Sequence, residues 1–135
     1  MNDIHRNEAE LEGLVQTPPA YSHENHGRRF YAFPLEVERL SGTTDTLPVL
    51  APLELLEQTP AAGGDTLCVT GQIRSYNNRE PEGRRLVISV LAETMTLRSA
   101  AHDNRAELLG TICRAPVYRR TPLGREICDV MLAVP

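Results

Sequence analysis

Arginine carries all the permanent positive charge of this chain, which has no lysine. Ten of the fourteen arginines fall in three clusters: Arg28–Arg29, then Arg74, Arg79, Arg84 and Arg85, then Arg114, Arg119, Arg120 and Arg125. A guanidinium pairs bidentately with phosphate and stacks on flat rings, which an ammonium does not do. A GC-rich coding bias would give the same composition with no selection for stacking. Three of the four tyrosines adjoin these clusters: Tyr31 follows Arg28–Arg29, Tyr76 heads the polar run Asn77-Asn78-Arg79, and Tyr118 precedes Arg119–Arg120. A tyrosine among polar and basic neighbours either offers a ring face to another flat group or braces its own hairpin.

Other chemistries lack their residues. There is no Gly-rich phosphate loop. Ser22, His23 and Glu24 are adjacent, which suits a turn and not a triad assembled from separate elements. Cys68, Cys113 and Cys128 are too few and scattered for a disulfide framework, and no CxxC occurs. His23 and His26 lack metal-ligand spacing and read as solvated loop residues. The chain therefore reads as a binding module, with no catalytic set, metal or cofactor.

The formal net charge of −4 argues weakly against a nucleic-acid ligand. Its distribution softens that, because acidic residues crowd the first third while two of the three arginine clusters lie further on. No apolar run approaches the roughly 20 residues needed to cross a bilayer. No stretch at the N-terminus has the pattern of a signal peptide. A cytoplasmic protein, associated with the nucleoid and not with membrane, is expected.

The elements that must hold these side chains repeat. Asn7, Ala9, Glu10, Leu11 and Gly13 recur as Asn104, Ala106, Glu107, Leu108 and Gly110, an ungapped offset of 97 residues. Pro19, Tyr21, Gly27, Arg28, Leu35 and Val37 recur at the same offset as Pro116, Tyr118, Gly124, Arg125, Leu132 and Val134. That spacing suits tandem domains better than a solenoid, whose periods are about 20–50 residues. Residues 1–95 are expected to form one domain, and residues 96–135 a linker and the truncated start of a second.

Within the first copy, Glu8–Val15 reads as a strand with Gly13 as a bulge. Tyr21–Gly27 reads as a hairpin loop, and Arg28–Arg39 as a second strand with Phe30, Phe33, Leu35 and Val37 on its core face. The three-residue step from Phe30 to Phe33 implies a bulge or bend. Leu47–Leu50 is a short third strand, placed at an edge by Pro48. Ala51–Gln58 is a short helix with proline in its first turn. Thr66–Ser75 is a fourth strand with Leu67, Val69 and Ile73 inward. Tyr76–Gly83 reads as a long hairpin tip, Arg84–Ala92 as a fifth strand, and Glu93–Asp103 as the link to the second copy. Five strands with one helix between the third and fourth is the layout of the OB-fold, a small Greek-key barrel. The fold class is all-β: a five-stranded OB-fold barrel plus a C-terminal β-hairpin from an incomplete second one.

Gly71-Gln72-Ile73-Arg74-Ser75-Tyr76-Asn77-Asn78, followed by Gly83 and Leu86-Val87-Ile88, resembles the fourth and fifth strands of bacterial single-stranded DNA-binding proteins. Asn104-Arg105-Ala106-Glu107-Leu108-Leu109-Gly110, then Arg114-Ala115-Pro116, Thr121-Pro122 and Gly124, closing in Leu132-Ala133-Val134, resembles that family's N-terminal strand pair. The chain departs from the family in having no tryptophan. The resemblance implies sequence-tolerant binding of single-stranded DNA in replication, recombination or repair, by a basic groove that follows the backbone and rings that take base faces. An OB-fold adaptor that contacts replication proteins and binds DNA weakly is the alternative. The residues this assigns to DNA are Arg28, Arg29, Tyr31, Arg74, Tyr76, Asn77, Asn78, Arg79, Arg84 and Arg85. Phe30 and Phe33 are expected in the core, and Tyr21 and Tyr118 in a shared structural role. The repeated apolar face at Leu108, Ile112, Ile127, Val130, Leu132 and Val134 needs cover, so a homo-oligomer, most simply a dimer, is expected.

Overall fold

The computed structural model describes residues 6–80, 83–97 and 104–135, the side chains of residues 76–85 excepted. It divides into two units, Glu8–Ala106 and a smaller one of Met1–Asn7 with Glu107–Pro135. In the larger unit, strands β1 (Arg6–Val15), β3 (Arg28–Glu38), β4 (Thr44–Pro52), β5 (Thr66–Glu80) and β6 (Gly83–Leu97) form the barrel, and β2 (Ala20–Asn25) adds to its side. Neighbours run β2-β3-β4-β6-β5-β1, and β1 returns to β3 through Leu14↔Glu36 and Val15↔Leu35. β4 and β6 pair in parallel, at Val49↔Val90 and Leu50↔Leu91. Helix α1 (Leu53–Gln58) lies between β4 and β5. This is the OB-fold.

Alternation builds the core. Phe33, Leu35 and Val37 of β3 meet Val49 and Ala51 of β4, Leu67 and Val69 of β5, and Val90, Ala92 and Met95 of β6. Phe33, Leu35, Leu67, Val15, Val49 and Val69 are the largest fully buried side chains. Leu55 and Leu56 of α1 pack against them. The Thr59 hydroxyl donates to the Met95 carbonyl at 3.2 Å and ties the helix end to β6.

Several expectations are corrected. Gly13 is no bulge, since β1 pairs with β5 in unbroken register from Ala9↔Gly71 to Leu14↔Thr66. It sits where β1 crosses from β5 to β3, and a Cβ there would overlap the Glu36 carbonyl oxygen. Tyr21–Gly27 is mostly strand, because His26 (φ 50°) and Gly27 (φ 78°) alone make the turn. Two positive-φ residues match the type I′ hairpin, whose twist suits its strands. The bulge implied by Phe30 and Phe33 lies in β2, where Ser22 is the extra residue between Tyr21↔Tyr31 and His23↔Phe30. Phe33 is core, whereas Phe30 is buried outside the core cluster, on the opposite face of β3.

The strands also run longer than their apolar residues indicate. β4 spans Thr44–Pro52 and has neighbours on both sides, although it meets β6 only after Pro48. Pro52 precedes the helix as its N-cap instead of lying inside its first turn. The supposed tip Tyr76–Gly83 is ladder, paired from Tyr76↔Val87 to Glu80↔Gly83. Glu93–Leu97 continues β6 instead of opening a linker.

The smaller unit repeats the start of the larger. After β7 (Arg105–Leu109), β8 (Thr111–Ile112) pairs with β11 (Leu132–Ala133) as Thr111↔Ala133 and Ile112↔Leu132, which are the barrel-closing pairs of the first copy displaced by the repeat offset. β9 (Val117–Arg120) pairs with β10 (Glu126–Asp129). Gly110 approaches Ala133 as Gly13 approaches Glu36. Of the expected apolar face, Ile127, Leu132 and Val134 are half-buried, while Leu108, Ile112 and Val130 are exposed.

Candidate nucleic-acid interface

The outward side of β3 carries Arg28, Phe30 and Ala32, alternating with the inward Phe33 and Leu35. The Ser22 bulge sets His23 opposite Phe30, and the two rings stack with centroids 5.0 Å apart and planes 11° from parallel. The Arg28 guanidinium carbon lies 5.5 Å from the Phe30 ring centroid, a cation–π geometry. His23 and Arg28 are themselves exposed, so they cover Phe30 and present flat groups to solvent.

Glu54, in the first turn of α1, fixes Arg28. Its Oε1 accepts from Arg28 Nε at 2.8 Å and Nη2 at 2.5 Å. Its own backbone N–H and then Arg28 hold the Glu54 carboxyl below the usual carboxylate range. Beside this pair lies an open groove of about 360 Å³, lined by Arg28, Phe30, Pro52, Gln72, Leu91, Ala92 and Glu93. Gln72 and Leu91 are cross-strand partners on β5 and β6. Arg74, two residues along β5, donates from Nη2 to the Gln72 Oε1. Glu93 comes to the groove through a second bulge: Thr70 pairs with Thr94 and Gly71 with Ala92, which leaves Glu93 without a cross-strand partner. Bulges re-aim side chains in this way.

Arg28 and Arg74, both expected from sequence, belong to this face. Arg29 and Tyr31 alternate onto the other side of β3, where Tyr31 is half-buried and meets Tyr21 edge-on at 5.8 Å. The structure does not bring those two to the groove. The side chains of Tyr76, Asn77, Asn78, Arg79, Arg84 and Arg85 lie outside the described residues; their backbone extends the β5–β6 ladder. Sequence reasoning missed His23, Phe30, Gln72 and Glu93. A signal was available for the first two, because the repeat replaces His23 by Arg120 and Phe30 by Ile127, which marks the aromatic pair as particular to the first copy. Among the described residues no group of three or more His, Cys, Asp or Glu could hold a metal ion, and no helix is long and apolar enough to cross a membrane.

A solved structure of the dimeric N-terminal domain of PriB protein from Thermoanaerobacter tencongensis is 37% identical to this chain, covering 70% of it and 98% of that domain, with a TM-score of 0.59. The chain belongs to the bacterial single-stranded DNA-binding protein family. The wild-type single-stranded DNA-binding protein of Thermus aquaticus shares the fold over 98% of this chain and 70% of its own, at 20% identity and a TM-score of 0.76. The small single-stranded DNA-binding protein of Streptomyces coelicolor does so over 73% of this chain and 96% of its own, at 20% identity and a TM-score of 0.55. No family model and no curated protein matches the chain.

Proposed function

We propose that this chain binds single-stranded DNA with little sequence preference, as a non-enzymatic component of replication, recombination or repair. The observation that carries the reading is the outer barrel face. Its stacked His23, Phe30 and Arg28 adjoin a groove edged by Gln72 and Arg74. Rings and guanidinium groups give bases a surface that tolerates any sequence, and single-strand binding of this kind combines such stacking with backbone charge. Residues 1–95 are the binding domain in this reading. The strand ladder from Tyr76 to Arg85 extends the path, so Tyr76, Asn77, Asn78, Arg79, Arg84 and Arg85 join Arg28 and Arg74 as proposed contacts.

Binding of fluorescent oligo-dT across a salt series tests this. The expected result is a preference for single over double strands, with a log–log salt slope of roughly −2 to −4 from some three to five arginine contacts. Tyr76→Ala should weaken binding by about 1–2 kcal/mol, the scale of one stacked base. Equal affinity for duplex, or no binding at low salt, would move the reading to an adaptor.

The second copy supports a homo-oligomer, most simply a dimer. Leu108, Ile112, Val117, Val130 and Met131 are all 40–57% exposed, and exposed apolar patches commonly mark interaction surfaces. Sedimentation of the full chain at micromolar concentration should give a dimer or larger species; a monomer there would overturn this part.

A further inference from the structure

Resting on the single-strand reading, we infer that the groove beside Phe30 is a base pocket that favours bases with an exocyclic amine, guanine foremost, over thymine, and that Glu93 is its specificity-determining residue. The hydrogen-bonding capacity left at its rim carries the inference. Arg28 spends Nε and Nη2 on Glu54, which leaves Nη1 as a donor. Gln72 spends Oε1 on Arg74, which leaves its amide NH₂ as a donor. Glu93 is exposed and forms no hydrogen bond or ion pair among the described residues, so both carboxylate oxygens are free acceptors. The walls between them are apolar: Phe30, Pro52 and Leu91.

A base fits this rim when adjacent N–H groups face the carboxylate and a carbonyl or ring nitrogen faces the two donors. Guanine presents N1–H and N2–H side by side, with O6 next to them. Cytosine and adenine each present one exocyclic amine. Thymine offers a single N–H flanked by two carbonyl oxygens, both of which the carboxylate repels. The bulge at Glu93 follows the same logic, because a regular ladder would give this residue a cross-strand partner.

The test compares the full chain's affinity for fluorescent oligo-dT with its affinity for the same oligomer carrying isolated dG, dC or dA residues. The dG oligomer should bind about fivefold tighter than oligo-dT, the lower end of what one bidentate base contact discriminates. Oligomers with dA or dC should fall between. Glu93→Gln, on a surface side chain, should abolish the ranking and strengthen oligo-dT binding, since an amide also accepts thymine. Thermal unfolding of the variant alongside the parent checks that the fold is kept. Equal affinity for all four oligomers would overturn this inference while leaving single-strand binding intact. A ranking that survives Glu93→Gln would overturn the role of Glu93. Binding to none of them would overturn the single-strand reading itself.

Discussion

The β2–β3 and β9–β10 hairpins are the same stretch of the repeat, and they share a scaffold without sharing a surface. Both turn through a left-handed glycine, Gly27 at φ 78° and Gly124 at φ 88°. Both pair the same positions beyond the turn, Tyr21↔Tyr31 in one and Tyr118↔Cys128 in the other. The outer faces then part. The first has His23 stacked on Phe30 beneath Arg28, which Glu54 holds. The second has Arg120 and Ile127 at the matching places, with the Tyr118 hydroxyl and Arg120 both meeting Glu126, at 2.8 and 3.3 Å. The first hairpin carries the Ser22 bulge, whereas β9 and β10 pair without a register shift. Register and close-approach glycines therefore hold the fold, and the residues free to differ are those that face outward, where a ligand would lie.

The largest expected contrast is on the inner side. Phe33 is 2% exposed and its counterpart Val130 is 52% exposed. Phe33→Ala should destabilise the protein by about 3–5 kcal/mol, through lost burial and the cavity left behind. Val130→Ala should change stability by less than about 0.5 kcal/mol, as surface substitutions do. Chemical denaturation of the two variants measures both. Similar losses would mean that the two inner faces are equally packed, and the comparison would fail.

The next contrast is on the outer side. His23→Ala should weaken oligo-dT binding by about 1 kcal/mol, the lower end for a stacking group. Arg120→Ala should leave binding within a factor of about two, because its charge is already shared with Glu126 and an exposed pair of this kind contributes little. Titration of both variants at one salt concentration decides it. If Arg120→Ala has the larger effect, the second hairpin is the contact surface and the first is not.

What could be read from sequence follows what alternation reports. The barrel and its helix were legible because Phe33, Leu35, Val37, Leu67 and Val69 alternate into one core, and because two copies agreed on the apolar positions. Tyr76–Glu80 reads as a tip because its polar residues give no apolar alternation, whereas the backbone continues the β5–β6 ladder through it. Phe30 is buried as expected, but on the opposite face of β3 from the main cluster, because an aromatic ring reads as apolar whichever face it takes. Only the register shift at Ser22 reveals that a histidine covers it. The Glu93 bulge left no mark in the sequence, since a two-against-one pairing depends on both strands at once. Arg28 was found by charge, but its partner Glu54 lies on a different element and could not be paired with it from spacing.

The smallest expected effect concerns that pair. Arg28 is held by Glu54, whereas its counterpart Arg125 makes no ion pair among the described residues. Glu54→Gln should therefore make the first hairpin more like the second. The Glu54 carboxyl is held below its ordinary value, so the stabilisation from this pair is present above the unfolded carboxylate pKa of about 4.3 and fades as pH falls through the lower folded value. Parent and variant should differ slightly in thermal stability at pH 7 and converge only once the pH has fallen below that lowered value, where the parent carboxyl is neutral as well. DNA binding should move the other way. Glu54 occupies the guanidinium edge that a phosphate would use, so its removal should raise oligo-dT affinity about twofold and steepen the salt slope by roughly 0.7, one further neutralised phosphate. A weaker complex with an unchanged slope would mean instead that Glu54 aims Arg28 over Phe30, and that aiming outweighs competition at this face.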